Sequence, residues 1–489
     1  MKKIALIFSL LFCVFLEAQP PAKFYTRIGG GGIDIGYAVK QTLEGNYIIA
    51  GSTTSYGAGN SDIYLVKLDS MGSVLWSKTL GGFNNDVAKS IVQVQDSGYV
   101  IAGFTNSFGN GGYDALLIRT DKFGNQIWRR TFGGLDWDFG YDLIQTSDGN
   151  IVMCGSTTSF GKGKTDGFVN KYDLNGNILW QNLYGGVEDD EFKGIYTKNG
   201  NEIYVAGMTK SYGEINGDMY VFKLGTNGDS LMRIIYGGNL YDNANDLTVN
   251  TIGDIYVVGG TYSYSSGLKQ DGLMVQFTSG GNFIRKNNIG NANTAKEIFK
   301  VITSNSKFGE IIIIYSEDQN IGTKKDFLTI AIDPGLYFII GGKSGSFGFS
   351  DDEEPYDICP TKDKGYAQVG YTKNLNAIDK DVFFVKRDSM LEYGANVVNI
   401  KKNSLINNRS IMVYPNPIEN EKEITIDFGF QNIKTSYEAI IYNISGELIK
   451  KDKIEESKLT IDINHLCKGM YILNIKNEKE DYYFKILKL

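Results

Sequence analysis

The sequence of 489 residues is built on a repeat of 52 residues. Glycine doublets mark the repeat, and the first five follow one another at that interval: Gly29-Gly30, Gly81-Gly82, Gly133-Gly134, Gly185-Gly186 and Gly237-Gly238. A sixth doublet, Gly341-Gly342, lies two periods further on. A constant period of this length indicates a repeat architecture, in which every unit forms the same small arrangement of secondary structure.

Each unit contains four short segments that are typical of β-strands. In the second unit they are residues 90–94, 99–102, 115–119 and 126–132, which are rich in β-branched and aromatic residues and are separated by glycine and aspartate turns. Four strands in a unit of this length are typical of one blade of a β-propeller. The repeat therefore predicts an all-β fold with one blade per unit.

The ends of the array predict how the ring closes. Strands one to three of a unit occur seven times, whereas the fourth strand occurs six times between units. The missing strand is residues 24–28, which precede Gly29-Gly30 as residues 76–80 precede Gly81-Gly82. A strand from the N-terminus that completes the last blade removes two exposed sheet edges. We predict a seven-bladed propeller over residues 24–396. It resembles secreted propellers of the bacterial SBBP and kelch-like kind, a resemblance that implies the fold and no particular activity.

The first 18 residues have the pattern of a secretory signal peptide. Lys2 and Lys3 precede an apolar run from residue 4 to 16, and Ala18 supplies a small residue before the predicted cleavage site. The apolar run is too short to span a bilayer comfortably. We expect Sec-dependent export, removal of residues 1–18 and no transmembrane span in the mature chain.

The repeat stops before the C-terminus. Residues 397–411 are rich in Asn, Lys and Ser and are predicted to be a linker. Residues 412–489 contain about six short alternating strands, the pattern of a small β-sandwich.

The order of motifs in this last module resembles the type A C-terminal sorting domain of the type IX secretion system, also called the Por secretion tail. The residues that carry the resemblance are Tyr414, Pro415, Asn416, Pro417, Gly446, Gly469 and Tyr471, followed by a closing basic strand at residues 485–488. The resemblance implies that the module engages the type IX translocon. It also implies that the propeller reaches the outer surface of a Gram-negative bacterium, or the medium, and that the module is removed there.

Charge and residue usage disfavour several classes of function. The net charge of −7 disfavours nucleic acid and anionic surfaces as partners. The only histidine, His465, lies in the last module, so the propeller has no residue for Ser-His-Asp or Cys-His catalysis. A glycosidase needs only two carboxylates, and this class stays open because the propeller has many.

Two rings of repeated residues are predicted on one face of the propeller, where the loops between blades meet the loops between second and third strands. One ring consists of aspartates: Asp34, Asp86, Asp138, Asp190 and Asp242. The other consists of aromatic residues: Tyr56, Phe108, Phe160, Tyr212 and Tyr264. Such aromatics could stack on sugar rings or peptide. The alternative, which is favoured for residues repeated in every blade, is that they stabilise their own blade.

An acidic cluster occurs where the repeat is irregular. An insertion of seven residues in the seventh unit contains Asp351, Asp352, Glu353 and Glu354. Clustered carboxylates are the ligands that Ca²⁺ prefers, although a charged run is more often a solvated loop. These residues are the candidate metal site, and we expect no other cofactor.

Three functions from different classes fit the sequence. The favoured one is an exported, non-enzymatic binding or adhesion propeller, expected to be a monomer, with an unknown extracellular glycan or protein as its ligand. The second is a secreted carbohydrate-active enzyme that uses carboxylates of the propeller face. The third is a structural component of the cell surface.

Overall fold

The computed structural model describes residues 23–265, 267, 269–289, 295–305, 310–319, 327–332, 339–347, 351–373, 375, 377–388, 391, 412–414, 422–427, 436–443, 448–454, 456–477 and 481–488. This part of the chain forms strands and turns without a helix, which confirms the all-β prediction. The chain divides into two compact units, residues 1–397 and 398–489. The predicted signal peptide and the predicted linker lie outside the described residues.

The first unit contains seven four-stranded antiparallel sheets, and six of them are simple meanders of consecutive strands. The first three sheets are formed by β2 (Asp34–Gln41), β3 (Tyr47–Thr53), β4 (Asp62–Leu68), β5 (Val74–Leu80), β6 (Asp86–Gln93), β7 (Tyr99–Thr105), β8 (Asp114–Thr120), β9 (Gln126–Phe132), β10 (Asp138–Gln145), β11 (Ile151–Thr157), β12 (Asp166–Tyr172) and β13 (Ile178–Tyr184). The next three are formed by β14 (Asp190–Lys198), β15 (Glu202–Thr209), β16 (Asp218–Leu224), β17 (Ser230–Tyr236), β18 (Asp242–Val249), β19 (Ile255–Thr261), β20 (Asp271–Phe277), β21 (Phe283–Ile289), β22 (Ala295–Asn305), β23 (Glu310–Gln319), β24 (Phe327–Ile332) and β25 (Ile339–Phe347).

The seventh sheet closes the ring with the N-terminal strand. Its strands are β1 (Phe24–Ile28), β26 (Glu353–Pro360), β27 (Tyr366–Thr372) and β28 (Asp381–Arg387). They pair in the order β1-β28-β27-β26, and β1 is antiparallel to β28 with Thr26 opposite Phe384. The predicted seven-bladed propeller with a closing strand at Phe24–Ile28 is therefore present.

The first strand of each blade is the innermost. Every first strand contacts the first strand of the next blade, and β26 contacts β2, so these seven strands surround a central channel. In the first blade the second and third strands are buried throughout, whereas the fourth strand is exposed at most positions. Burial of both faces explains why residues 47–53 and 62–68 are almost continuously apolar.

Aspartates of three first strands connect neighbouring blades. The Asp142 carboxylate accepts the Ile195 N–H at 3.0 Å, and the Asp246 carboxylate accepts the Ile302 N–H at 3.0 Å. The Asp357 carboxylate accepts the N–H of Val39 at 2.8 Å, across the junction where the ring closes. These bonds satisfy backbone groups that no strand pairing reaches.

The tryptophans of the fourth strands pack on the next blade, which explains why they recur. Trp128 Nε1 donates to the Leu174 carbonyl at 3.0 Å, and Trp180 Nε1 donates to the Thr226 carbonyl at 3.0 Å. Gly176, at a φ of 79°, lies against the Trp128 ring, where a Cβ would come within 3.2 Å of it. Phe24 of β1 has the corresponding place against Gly72.

The position of the insertion differs from the prediction. Each first strand carries one bulged residue, which is Asn245, Lys300 and Tyr356 in the fifth, sixth and seventh blades. The intervals between them are 55 and 56 residues, so the extra residues enter in two steps, before β22 and between β22 and β26. For the same reason Gly341-Gly342 lies within β25 and does not form a loop between blades.

The second unit is a small two-sheet β-sandwich. Its strands are β29 (Met412–Tyr414), β30 (Glu423–Asp427), β31 (Tyr437–Asn443), β32 (Leu448–Ile454), β33 (Lys458–Asp462), β34 (Gly469–Lys476) and β35 (Asp481–Lys488). The sheet orders are β29-β30-β33 and β32-β31-β34-β35. Side chains of both sheets, among them Ile426 and Leu473, share one buried core.

Candidate ligand-binding face

The repeated aspartates hold two loops of their blade together. In the second blade, Asp86 Oδ2 accepts the Gly82 N–H at 2.8 Å and the Ser107 hydroxyl at 2.6 Å, while Thr105 donates to Oδ1. The corresponding bonds from the second glycine of the doublet reach Asp34, Asp138, Asp190 and Asp242. All five aspartates are inaccessible to solvent. The aspartate ring therefore stabilises the face and does not present carboxylates to a ligand.

The first glycine of each of the five regular doublets lies between two buried carboxylates of adjacent blades. A Cβ at Gly133 would meet Asp114 Oδ1 and would lie 2.6 Å from Asp138 Oδ2. Burial, and then repulsion by Asp138, raise the pKa of Asp114 to about 6. Asp218, whose neighbour is Asp242, also has a raised pKa, first because of burial. Only glycine allows this approach, which explains why the doublets are invariant among the regular units.

The repeated aromatics lie on the predicted face, but they are engaged with their own blades. Each backbone N–H of the five residues Tyr56, Phe108, Phe160, Tyr212 and Tyr264 bonds to a threonine hydroxyl three residues earlier. The tyrosine hydroxyls of Tyr56, Tyr212 and Tyr264 donate to the carbonyls of the first glycines of the doublets.

Cationic side chains cover one face of several of these rings. The Arg129 guanidinium lies 3.4 Å from the Phe108 ring centre, and the Lys286 ammonium lies 2.9 Å from that of Tyr264. Tyr56 and Phe160 remain 43% and 44% exposed. These contacts support the structural role of the ring, and its contact with a ligand stays a prediction.

The structure does not bring the four carboxylates of the candidate metal site together. Glu353 takes the place of the repeated aspartate: it is buried and accepts the Thr372 hydroxyl at 2.6 Å. Glu354 pairs with Lys300, Asp352 pairs with Lys373 at 3.1 Å, and Asp351 is exposed. In the residues that the structure describes, no group of three or more acidic, His or Cys side chains could hold a metal ion.

Three of the predicted sorting residues lie in described strands. Tyr414 ends β29 opposite Thr425 of β30, and Gly469 begins β34. Tyr471 lies in the core of the sandwich, and its hydroxyl donates to the Cys467 carbonyl at 3.0 Å. The remaining predicted sorting residues, Pro415, Asn416, Pro417 and Gly446, lie outside the described residues.

A cluster of five aromatic side chains that the sequence analysis did not identify lies between the second and third blades. It consists of Phe104, Tyr113, Trp137, Phe139 and Tyr141, which we call the aromatic cluster. Its ring centres are 5.0 Å apart for Phe104 and Phe139, 6.1 Å for Phe139 and Tyr141, and 6.2 Å for Tyr113 and Trp137. Trp137 is 59% exposed and the other four are half-buried. The cluster therefore extends from the loop face along β10 towards the channel.

The aromatic cluster interrupts the repeat. The positions corresponding to Phe104 in the first and third blades hold Ser52 and Ser156, opposite Ile35 and Phe139. The sequence signal is the alternation of Trp137, Phe139 and Tyr141, because side chains two residues apart in a strand lie on the same side. The residues that all units share do not point to this row, because they are the same in every blade.

The bulged residue of each first strand lines the channel. The seven bulged residues are Tyr37, Lys89, Tyr141, Lys193, Asn245, Lys300 and Tyr356, and all are partly exposed. The repeat fixes the geometry here but not the residue type. A bulge leaves its extra residue outside the strand pairing, so its side chain is free to differ between blades.

The three channel lysines have different partners. The Lys193 ammonium pairs with Glu191 at 2.7 Å, and that of Lys300 pairs with Glu354. The Lys89 ammonium instead lies 3.6 Å from the ring centre of Tyr37 and 5.9 Å from that of Phe104. Burial, and then the neighbouring Lys300 ammonium, lower the pKa of Lys89 to about 8.

The C-terminal unit matches a known family. Residues 412–488 match the family described as "Secretion system C-terminal sorting domain". The last unit is therefore a type IX sorting domain, and it directs export to the cell surface or the extracellular space. Fold and sorting domain together define an exported β-propeller protein.

Similarity over the propeller is more distant. The chain is 27% identical over 258 residues to the regulatory protein FlaEY of Caulobacter vibrioides; this match covers 45% of the chain and 26% of that relative. A solved structure of PorZ, a surface component of the type IX secretion system of Porphyromonas gingivalis, matches 94% of the chain and 60% of its own length at 13% identity and a TM-score of 0.44. The Dos1 propeller matches 76% of the chain and 95% of its own length at 10% identity and a TM-score of 0.46. The chain thus spans about a quarter of the curated relative.

The described part of the chain also has no helix with the length and apolar character needed to cross a membrane.

Proposed function

We propose that the protein is a non-enzymatic binding protein whose ligand contacts the aromatic cluster on the loop face of the propeller. The observation that carries the proposal is that Trp137, Phe139 and Tyr141 form an accessible row of aromatic side chains in which Trp137 and Phe139 depart from the repeat. Residues that repeat in every blade have structural partners here, whereas no other regular unit has aromatic residues at all three of these positions. Exposed aromatic side chains that form one surface are typical of binding sites for sugar rings and proteins.

Neighbouring loop tips enlarge this surface. Phe83 and Leu135 follow the doublets of the second and third blades and are 86% and 82% exposed. Val187, at the same position of the fourth blade, is 73% exposed. Large apolar side chains so far from the core contribute little to the stability of the blade, and they favour contact with a partner.

Binding by the aromatic cluster is tested by replacing its most exposed member. The purified protein is assayed against neutral and acidic polysaccharides and against outer-surface protein fractions. Trp137→Ala should weaken binding to the best ligand at least tenfold, because a large aromatic contact is lost. Phe123→Ala is the matched control, since Phe123 is an aromatic residue of similar exposure, 56%, in the β8–β9 turn on the opposite face. Equal effects of the two substitutions would refute the proposed site.

The route of export is tested separately. We propose that residues 1–18 direct Sec export and that the sorting domain then directs passage through the type IX translocon of a Gram-negative bacterium. In such a host the full-length protein should reach the surface or the medium in a form shortened at its C-terminus. A chain truncated after Asn408 should remain in the periplasm. An unchanged location of the truncated chain would show that residues 412–488 do not control sorting.

A further inference from the structure

We propose that the ligand is an acidic polysaccharide and that Lys89, at the channel end of the aromatic cluster, binds a carboxylate of one of its sugar residues. This inference rests on the proposed function, because it assigns the ligand class of the same site. It depends on three observations: the position of Lys89, its lack of an ion pair with any described residue and the chemistry of the adjoining rings.

The bulge of β6 places Lys89 beside the aromatic cluster. Phe104, a member of the cluster, pairs with Val87 two residues before Lys89, and its ring centre lies 5.9 Å from the ammonium. A ligand that lies along Trp137, Phe139 and Phe104 towards the channel would therefore meet the Lys89 ammonium next.

The charge on Lys89 is not compensated within the described residues. Its ammonium contacts two aromatic rings, and no ion pair of Lys89 occurs in this part of the chain. The equivalent bulged lysines Lys193 and Lys300 both have carboxylate partners. Partial burial of an ammonium beside a second cation is unfavourable unless an anion compensates it. A carboxylate from the ligand would supply that anion.

The rings favour a sugar chain as the carrier of the carboxylate. The aromatic cluster offers mainly ring faces and edges, and its hydrogen-bonding groups are the hydroxyls of Tyr113 and Tyr141 and the indole N–H of Trp137. The C–H face of a pyranose ring suits such a surface, whereas the many amides of a peptide would lose more water contacts than these three groups replace. An acidic peptide is accordingly the competing ligand that an experiment must exclude.

The probes are oligosaccharides of polygalacturonate and of alginate, and the same chains after reduction of their carboxylates to primary alcohols. Calorimetric titration of the purified protein should show that at least one uronate chain binds about tenfold more tightly than its reduced form, as expected for one charge-assisted contact. Lys89→Gln should abolish this preference, and Lys89→Arg should retain it. Lys193→Gln is the matched control, because that bulged lysine already has the partner Glu191, and it should retain the preference.

The outcomes separate this inference from the proposed function. If uronate chains and reduced chains bind equally well and Trp137→Ala weakens both, the site is right and the carboxylate assignment is wrong. If Lys89→Gln keeps its preference for uronate while its melting temperature matches that of the wild type, Lys89 is not the anion contact. If polyglutamate binds and neither uronate chain does, the ligand class is wrong. If Trp137→Ala changes the binding of no probe, both proposals fail.

Discussion

The two carboxylates that flank Gly133 predict an unusual effect of pH on stability. Asp114 and Asp138 belong to adjacent blades, and both are almost fully buried. Replacing Asp114 with asparagine removes one charge and keeps the shape of the side chain. An asparagine oxygen can still accept the Asn110 N–H that Asp114 accepts at 3.0 Å. We therefore expect Asp114→Asn to stabilise the propeller at neutral pH, although it removes a repeated residue.

The sign and the magnitude follow from the raised pKa of Asp114. A carboxyl group whose pKa is about 6 in the folded protein, against 3.8 ordinarily, is protonated more readily in the folded than in the unfolded chain. The free energy of unfolding therefore decreases as the pH rises from 4 through 6. Above pH 6 the ionised Asp114 carboxylate destabilises the folded protein to its full extent. The difference between the two pKa values corresponds to about 3 kcal/mol. Because burial is the largest cause of the raised pKa and water near the loop face reduces this penalty, we expect Asp114→Asn to add about 1 to 2 kcal/mol at pH 7.5 and almost nothing at pH 4.5.

The assay is urea unfolding of the wild type and the variant between pH 4.5 and 7.5. Asp148→Asn is a control of opposite sign: burial raises the pKa of Asp148, but its bond to Lys171 and its turn bonds outweigh burial and lower that pKa. Asp148→Asn should destabilise the protein at pH 7.5, and the loss should shrink only at much lower pH. If the difference between Asp114→Asn and the wild type does not change with pH, or if Asp114→Asn is less stable at pH 7.5, the argument from paired carboxylates is refuted.

Three further substitutions test how the ring is held together. Phe24→Ala in β1 should lower the free energy of unfolding by about 3 to 5 kcal/mol, measured by urea unfolding, because a buried ring is lost from the closing strand; a loss below 1 kcal/mol would mean that the strand does not close the propeller. Gly133→Ala should lower the free energy of unfolding by about 1 to 3 kcal/mol, because its Cβ would displace two buried carboxylates. The control Gly31→Ala has open space around its Cβ and should leave the thermal unfolding transition unchanged. Asp142→Ala should lower the free energy of unfolding by about 1 to 3 kcal/mol, because the Ile195 N–H loses its acceptor. Asp142→Asn keeps an acceptor and should lower the free energy of unfolding clearly less in the same assay.

The repeat made the fold predictable to the level of blade number and ring closure. Each residue that recurs with the period has a local physical role. The aspartate joins two loops, the glycine fits between two carboxylates and the tryptophan packs on a turn of the next blade. Such roles recur because every blade faces the same neighbours. Three and four additional residues around β22 shift the later landmarks, so that Gly341-Gly342 lies in a strand, whereas the five regular doublets lie between blades. Glu353 shows the same effect: it belongs to the acidic cluster of the predicted metal site, but it replaces the repeated aspartate and is buried.

The candidate site was not predictable by the same reasoning. A period identifies what the blades share, and the shared aromatics proved to be bonded within their blades. The aromatic cluster joins residues of β7, β10 and two loops, so its members become neighbours only when the second and third blades pack together. Lys89 acquires its position from a bulge, which sequence alone does not reveal. Both features need the packing of adjacent blades, which repeats in geometry without repeating in sequence.

This separation between geometry and residue type suggests how such a propeller acquires specificity. The backbone of every first strand carries the same bulge, so seven side chains are presented to the channel by equivalent positions. The residues next to the bulge are constrained by neighbouring blades, as the bond that the Ile195 N–H donates to the Asp142 carboxylate shows. The bulged residues lie outside the strand pairing and are tyrosine, lysine or asparagine, although Asn245 donates to the Phe299 carbonyl of the next blade at 2.8 Å. A change at a bulge can therefore alter the ligand without loss of the fold, whereas a change at a repeated position alters the fold first. For this reason we place recognition at Lys89 and the aromatic cluster and stability at the repeated residues.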